Sequence, residues 1–193
     1  MLLVFPGSSG VAFASACRTC AAMGNVAAPE ALALRWAEMV NDPSLRDLPY
    51  KIELNAWVKI EMSPANNRHA RLQGKTALEL GRQLPDGEVL TECPILTDIG
   101  VRVPDVAWAS SQFIAMHGET TPYRTAPEIC VEIVSPSNSD SEMAKETRAY
   151  LSAGAVEVWL VPEVGSVRYF DASGEQGSSR YPVTLVLPDP VLE

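Results

Sequence analysis

The strongest constraint on this chain is a pair of acids set inside apolar runs. Asp105 interrupts Val-Arg-Val-Pro-Asp-Val-Ala-Trp-Ala-Ser (101–110), and Glu132 interrupts Pro-Glu-Ile-Cys-Val-Glu-Ile-Val (127–134). A carboxylate inside a buried strand is costly unless a charged or hydrogen-bonding group meets it. Strand alternation puts Val101, Val103, Asp105, Ala107 and Ala109 on one face and Arg102, Pro104, Val106 and Trp108 on the other. In the second run Ile129, Val131 and Ile133 point one way, and Cys130, Glu132 and Val134 the other. If the strands pair in a suitable register, the two acids converge. One or two carboxylates, with water and phosphate oxygens completing the shell, is the usual way magnesium is held. Either acid alone reads more simply as a strand-end residue reaching water. The two together, with what surrounds them, favour a shared cation.

The residues after Glu132 define a unit. Ser135-Pro136-Ser137-Asn138-Ser139-Asp140 is turn chemistry and cannot continue a strand. Ser139 with Glu142 predicts a capping box, a helix running to about Ala153, and a stop at Gly154. Val156 to Val161 reads as a strand. Strand, turn, helix and strand make a crossover, and the expected class is α/β or α+β.

The rest of the chain fits one domain around such a sheet. Residues 29–40 predict a short helix, and Tyr50 to Met62 predicts a hairpin turning near Asn55-Ala56. Asn67 to Leu84 predicts a helix whose apolar members are Leu72, Leu80 and Leu84, closed by Leu84-Pro85-Asp86-Gly87. Glu88 to Leu96 reads as one strand, and residues 111–127 as a long polar connection. Val167 to Phe170 reads as a short strand, 173–179 as a Gly/Ser loop, and Thr184 to Leu187 as a final strand. Residues 1–30 read as a poorly specified extension, without the positive n-region of a signal peptide, leaving residues 31–193 as the domain. No stretch reaches transmembrane length.

Charge and cysteine content narrow the function. The formal net charge is −9, which argues against strong non-specific binding to nucleic acid. Cys17 and Cys20 have the spacing of half a zinc knuckle, but no second pair follows and the only histidines are His69 and His117, so neither structural zinc nor redox chemistry is expected. Cys93 and Cys130 lie in apolar runs and read as core thiols. A reducing compartment, the cytoplasm, is the expected location.

Val103-Pro104-Asp105 followed by Val131-Glu132-Ile133-Val134-Ser135-Pro136 resembles the PD-(D/E)XK nuclease superfamily. The chain is most similar to its Uma-two family of predicted endonucleases. The similarity also takes in Tyr50-Lys51-Ile52-Glu53-Leu54, Met62-Ser63-Pro64, His69, Tyr150 and Gly154-Ala155-Val156-Glu157-Val158-Trp159, in the family's order over residues 31–170. The resemblance implies a restriction-endonuclease-like core of helix, three strands, helix and strand, preceded by a β-hairpin. It implies a metal-dependent DNA endonuclease, with Asp105 and Glu132 as ligands of magnesium, or of manganese in its place. Glu53 matches a family acid that would complete the metal shell, and His69 matches a family histidine at the start of a helix. For His69, a residue hydrogen-bonding locally at that helix start is at least as good a reading.

The lysine departs from the pattern. The superfamily motif places it two residues after the acid, where this chain has Val134. In the Uma-two branch it lies on the following helix, four residues before the tyrosine; that position is Glu146 here, with Lys145 just before it. On a helical wheel Met143, Thr147, Tyr150 and Leu151 form the packing face, Glu146 borders it and Lys145 falls nearly opposite. Three outcomes stay open: Lys145 reaches the site on its long stem, Glu146 serves instead, or the protein is a weakened or inactive nuclease relative acting through protein association. A different metal-dependent phosphoesterase or a small-molecule hydrolase is a further class, which no motif of the chain supports. Cutting both strands of DNA and the prevalence of two-fold symmetry lead to the expectation of a homodimer.

Overall fold

In a computed structural model of the chain, residues 26–46, 50–64 and 66–187 are described. Cys17 and Cys20, and most of the expected extension, lie outside them. The elements run α1 (Pro29–Val40), a 3-10 turn (Pro43–Leu45), β1 (Tyr50–Asn55), β2 (Ile60–Pro64), α2 (Asn67–Gln83), β3 (Gly87–Thr91), β4 (Ile95–Thr97), β5 (Gly100–Arg102), β6 (Val106–Ser110), α3 (Ser111–His117), β7 (Ile129–Val134), α4 (Asp140–Ser152), β8 (Glu157–Pro162), β9 (Arg168–Asp171) and β10 (Gly174–Gln176).

The strands form two sheets. The larger has the order β10-β9-β8-β7-β6-β3, and the smaller β2-β1-β5-β4. In the larger sheet β7 and β8 are parallel, as their crossover through α4 requires, and the other pairs are antiparallel. Alternation divides its side chains between two cores. Val106, Trp108, Ile129, Val131, Ile133, Trp159 and Val161 pack with Leu72 and Leu80 of α2. Ala107, Ala109, Cys130, Val158 and Leu160 pack with Met143 and Tyr150 of α4 and Phe113 of α3. The smaller sheet has its own core, in which Leu54, Val101 and Val103 meet Leu32, Trp36 and Met39 of α1. The series α2, β3, β6, β7, α4, β8 is the expected helix, three-strand, helix, strand core with a hairpin before it, an α+β fold. Among the described residues no helix is long and apolar enough to cross a membrane.

Two expected strands are each divided between the sheets. Residues 88–96 become β3 in the larger sheet and β4 in the smaller, and residues 101–109 become β5 in the smaller and β6 in the larger. The second break has a plain cause: Pro104 has no N–H to carry a ladder across. At the first, Glu92 takes a left-handed φ of 53° that turns the chain out of its strand. The excursion into the smaller sheet pivots on Gly100, at φ 128°, where a Cβ would fall on the Leu54 carbonyl. The chain then re-enters the larger sheet just before β6, which sets Asp105 at the seam of the two sheets.

Three smaller expectations need correction. The connection 111–127 opens with α3, capped by the Ser110 side chain, which accepts the Phe113 N–H and lets Phe113 bury. The 173–179 loop contains β10. No strand forms over 184–187. The Gln83 side-chain amide takes both the N–H and the C=O of Thr184, while Leu185 and Leu187 pack on the α2 side of the core. The capping box of α4 is present, with Ser139 and Glu142 bonded reciprocally.

The two faces of α2 differ sharply. Leu80 is fully buried, whereas Leu78 is 61 % exposed. Leu80→Ala should cost about 2–5 kcal/mol and Leu78→Ala no more than about 0.5 kcal/mol, read as shifts in urea midpoint. Equal effects would contradict this placement of α2.

Candidate active site

The β6–β7 ladder aligns Val106 with Val131 and Ala107 with Cys130. One step further in the same register sets Asp105 opposite Glu132, so both carboxylates leave the sheet on the face covered by α4. They are 2 % and 5 % exposed respectively. Each is clamped by one oxygen. Asp105 Oδ2 accepts the Ile133 N–H at 2.7 Å, and Glu132 Oε1 accepts the Tyr150 hydroxyl at 2.7 Å. The other two oxygens face one ammonium: Lys51 Nζ lies 3.0 Å from Asp105 Oδ1 and 3.4 Å from Glu132 Oε2.

Lys51 comes from β1, where Ile52 and Leu54 turn into the α1 core and the alternate residues Lys51 and Glu53 turn to the site. From α2, His69 Nε2 stands 3.3 Å from Asp105 Oδ1, while its backbone N–H caps the helix on Asn66. One turn on, Gln73 donates to the Asp105 backbone carbonyl at 2.9 Å. Asp105 is thus held through its backbone and through both carboxylate oxygens.

These groups line a cavity of about 720 Å³. Five acids lie on its wall, Glu53, Glu92, Asp105, Glu132 and Glu146, and among the described residues the only basic groups there are Lys51 and His69. Burial, the largest influence, pushes the Asp105 carboxyl up. The His69 hydrogen bond, the Lys51 charge and the Ile133 N–H outweigh it and hold Asp105 at about 2. Glu132 is pushed well above the usual carboxylate range, first by burial and then by the negative charges of Asp105, Glu146 and Glu53, against the pull of Lys51. Burial would lower Lys51, but Glu132, Asp105 and Glu53 raise it, so it stays an ammonium. Burial pushes the Cys93 thiol up to about 12, and Cys130 is likewise raised; both are free, buried thiols.

Asp105 and Glu132 come together, and Glu146 reaches the same cavity. Glu53 lines it too, but its oxygens are engaged elsewhere: Oε2 with Arg102 at 2.8 Å and Oε1 with the Val103 N–H at 2.8 Å. Lys145 stands exposed on α4, away from the cavity wall. The residues not assigned a site role from sequence are Lys51, Gln73 and Tyr150, the last read only as a packing residue of α4 and a match to the family. Lys51 left one trace, two charged residues alternating with Ile52 and Leu54 in a strand. Gln73 left none, since a glutamine on a helix reads as solvent-facing.

The pair fits a divalent cation. A positive group already sits between two oxygens whose partner oxygens are fixed. Among the described residues no group of three or more His, Cys, Asp or Glu side chains gathers to hold a metal by itself. The remaining ligands would therefore be water and substrate oxygen, as is usual for magnesium.

Glu146 supplies a pH dependence. Burial first, and then the Glu53 charge, raise its carboxyl from 4.5 to about 7. The folded chain therefore binds this proton more tightly than the unfolded one. The associated stability is full below pH 4.5 and is lost as pH rises through about 7. With divalent cations chelated, Glu146→Gln should gain about 1–3 kcal/mol on the wild type between pH 5 and 8, measured by urea unfolding. A pH-independent difference would contradict this environment for Glu146.

The chain is similar over residues 43–192 to the family model Uma2, described as "Putative restriction endonuclease". Among solved structures it resembles a protein described as a putative nuclease belonging to DUF820 from Anabaena variabilis ATCC 29413. The TM-score is 0.51 at 18 % identity, over 62 % of this chain and 76 % of that one, a likeness of fold. No curated protein matches. With most of its length matched by that model, the chain belongs to the Uma2 family of restriction-endonuclease-like proteins.

Proposed function

We propose that this chain is a metal-dependent DNA endonuclease that hydrolyses phosphodiester bonds at the Asp105–Glu132 pair. One observation carries the reading. Asp105 Oδ1 and Glu132 Oε2 converge on a single cation, Lys51, while Ile133 and Tyr150 hold their other oxygens. Family membership supplies the substrate class. Acids outnumber basic groups on the described wall of the cavity, so an added cation would help a phosphate to approach.

Hydrolysis consumes one water. Its oxygen bonds to phosphorus and gives up a proton to solvent, one P–O bond to a sugar oxygen breaks, and a proton from solvent reaches that sugar oxygen. Magnesium, or manganese in its place, would be held by Asp105 and Glu132 and would polarise the phosphate and lower the pKa of water. The chain's own groups do the positioning. Tyr150 aims Glu132, and Ile133, Gln73 and His69 aim Asp105. Glu53, the other ligand expected from the resemblance, acts instead through the chain: it anchors Arg102 and the Val103 N–H, fixing the corner that delivers Asp105. Lys145 has no part in this reading. Cutting both strands takes two sites, so the reading extends to a homodimer. Net charge −9 favours a second reading, a nuclease fold working through protein association.

Purified wild type should nick supercoiled plasmid at low salt with magnesium or manganese. Asp105→Asn and Glu132→Gln should each lose at least about 10²-fold in rate. Absence of cutting by the wild type on any DNA form, with either metal, would leave the association reading. Tyr150→Phe keeps the ring and frees Glu132, and should cost about 10–100-fold in cation affinity or rate. Wild-type behaviour in titration calorimetry and cleavage would show that Tyr150 only packs.

A further inference from the structure

We propose that Lys51 is the catalytic lysine of this chain, delivered from β1 of the smaller sheet instead of from α4. It occupies the cation's place until the cation arrives and then stands beside the phosphate. The inference rests on the nuclease reading and adds a residue to it.

Four observations support it. First, α4 offers no lysine: Glu146 faces the cavity and Lys145 is exposed. Second, apart from His69, Lys51 is the only basic residue among the described residues of the cavity wall, so it is the one fixed positive charge that can meet a phosphate there. Third, its Nζ touches the two carboxylate oxygens that no backbone or tyrosine donor holds. A divalent cation drawn to that pair must displace it. Fourth, its side chain is 19 % exposed, at an open cavity rather than in a closed core. A lysine stem has four flexible carbons, and the displaced ammonium can swing into the cavity without moving β1. There it would lie against the phosphate oxygens and stabilise the charge that builds on them as the P–O bond breaks, with no proton transfer of its own.

The test compares wild type, Lys51→Met, Lys51→Arg and the transplant Lys51→Met with Glu146→Lys. Manganese affinity is read by titration calorimetry, fold by circular dichroism, and cleavage by plasmid nicking at saturating manganese. Lys51→Met removes a competing charge and should bind manganese about 10-fold tighter than the wild type, while cutting at least about 10²-fold more slowly. The transplant should regain at least about 10-fold of the lost rate, since it returns an ammonium to the cavity from the helix. Lys51→Arg keeps the charge and the fold, and should bind manganese as the wild type does. Weaker manganese binding by folded Lys51→Met would overturn the placeholder role. Cleavage by Lys51→Met within about 3-fold of an active wild type would reduce Lys51 to a counter-ion, with the nuclease reading intact. Failure of the wild type to cut would remove both that reading and the catalytic assignment. If Lys51→Met does not fold, folded Lys51→Gln takes its place: cutting at least about 10²-fold slower than wild type supports the assignment, and cutting within about 3-fold of wild type overturns it.

Discussion

Two carboxylates set side by side on a buried face repel each other and lose their hydration, and neither cost is small. Asp105 and Glu132 accept both penalties, and the arrangement around them answers each in turn. Ile133 and Tyr150 each donate to one oxygen, and Lys51 is shared by the remaining two. Burial still pushes the Glu132 carboxyl well above the usual range, and Asp105, Glu146 and Glu53 push it the same way. A second positive charge there would favour the ionised form of Glu132, and the divalent cation proposed above would supply it.

The two-sheet architecture is what brings these groups together. Asp105 belongs to neither sheet: it lies after Pro104 and before β6, where the chain returns from its excursion into the smaller sheet. The smaller sheet then brings β1 within reach, and with it Lys51 and Glu53. Glu53 closes the arrangement by holding the Val103 N–H and Arg102, so the strand that supplies the lysine also braces the corner that supplies the acid. Arg102, buried between Glu53 and Glu61, ties both strands of the hairpin to β5. Acid, lysine and brace come from three separate stretches and share one seam.

Much of this was legible in the amino-acid order. Alternation around Asp105 and Glu132 set their faces, and the Ser139–Glu142 box and Gly154 set the ends of α4 closely. The helical wheel placed Lys145 on the solvent side, where it stands. Lys51 escaped because its partners are 54 and 81 residues away, and no local pattern encodes a contact at that distance. The division of two strands between sheets escaped because an apolar run looks the same whichever sheet receives it; Pro104 was the only visible mark. α3 escaped because a helix of seven residues with one buried side chain has too little periodicity to show. The 184–187 segment has the apolar alternation of a strand, yet a glutamine side chain bonds its backbone where a strand would have.

On the reading proposed above, the oxygens now shared by Lys51 would hold the cation. Anomalous diffraction from crystals equilibrated with manganese tests this directly. A manganese peak is expected bonded to Asp105 Oδ1 and Glu132 Oε2, with Lys51 Nζ moved into the cavity. Lys51 still bridging the two carboxylates, with no manganese between them, would contradict it.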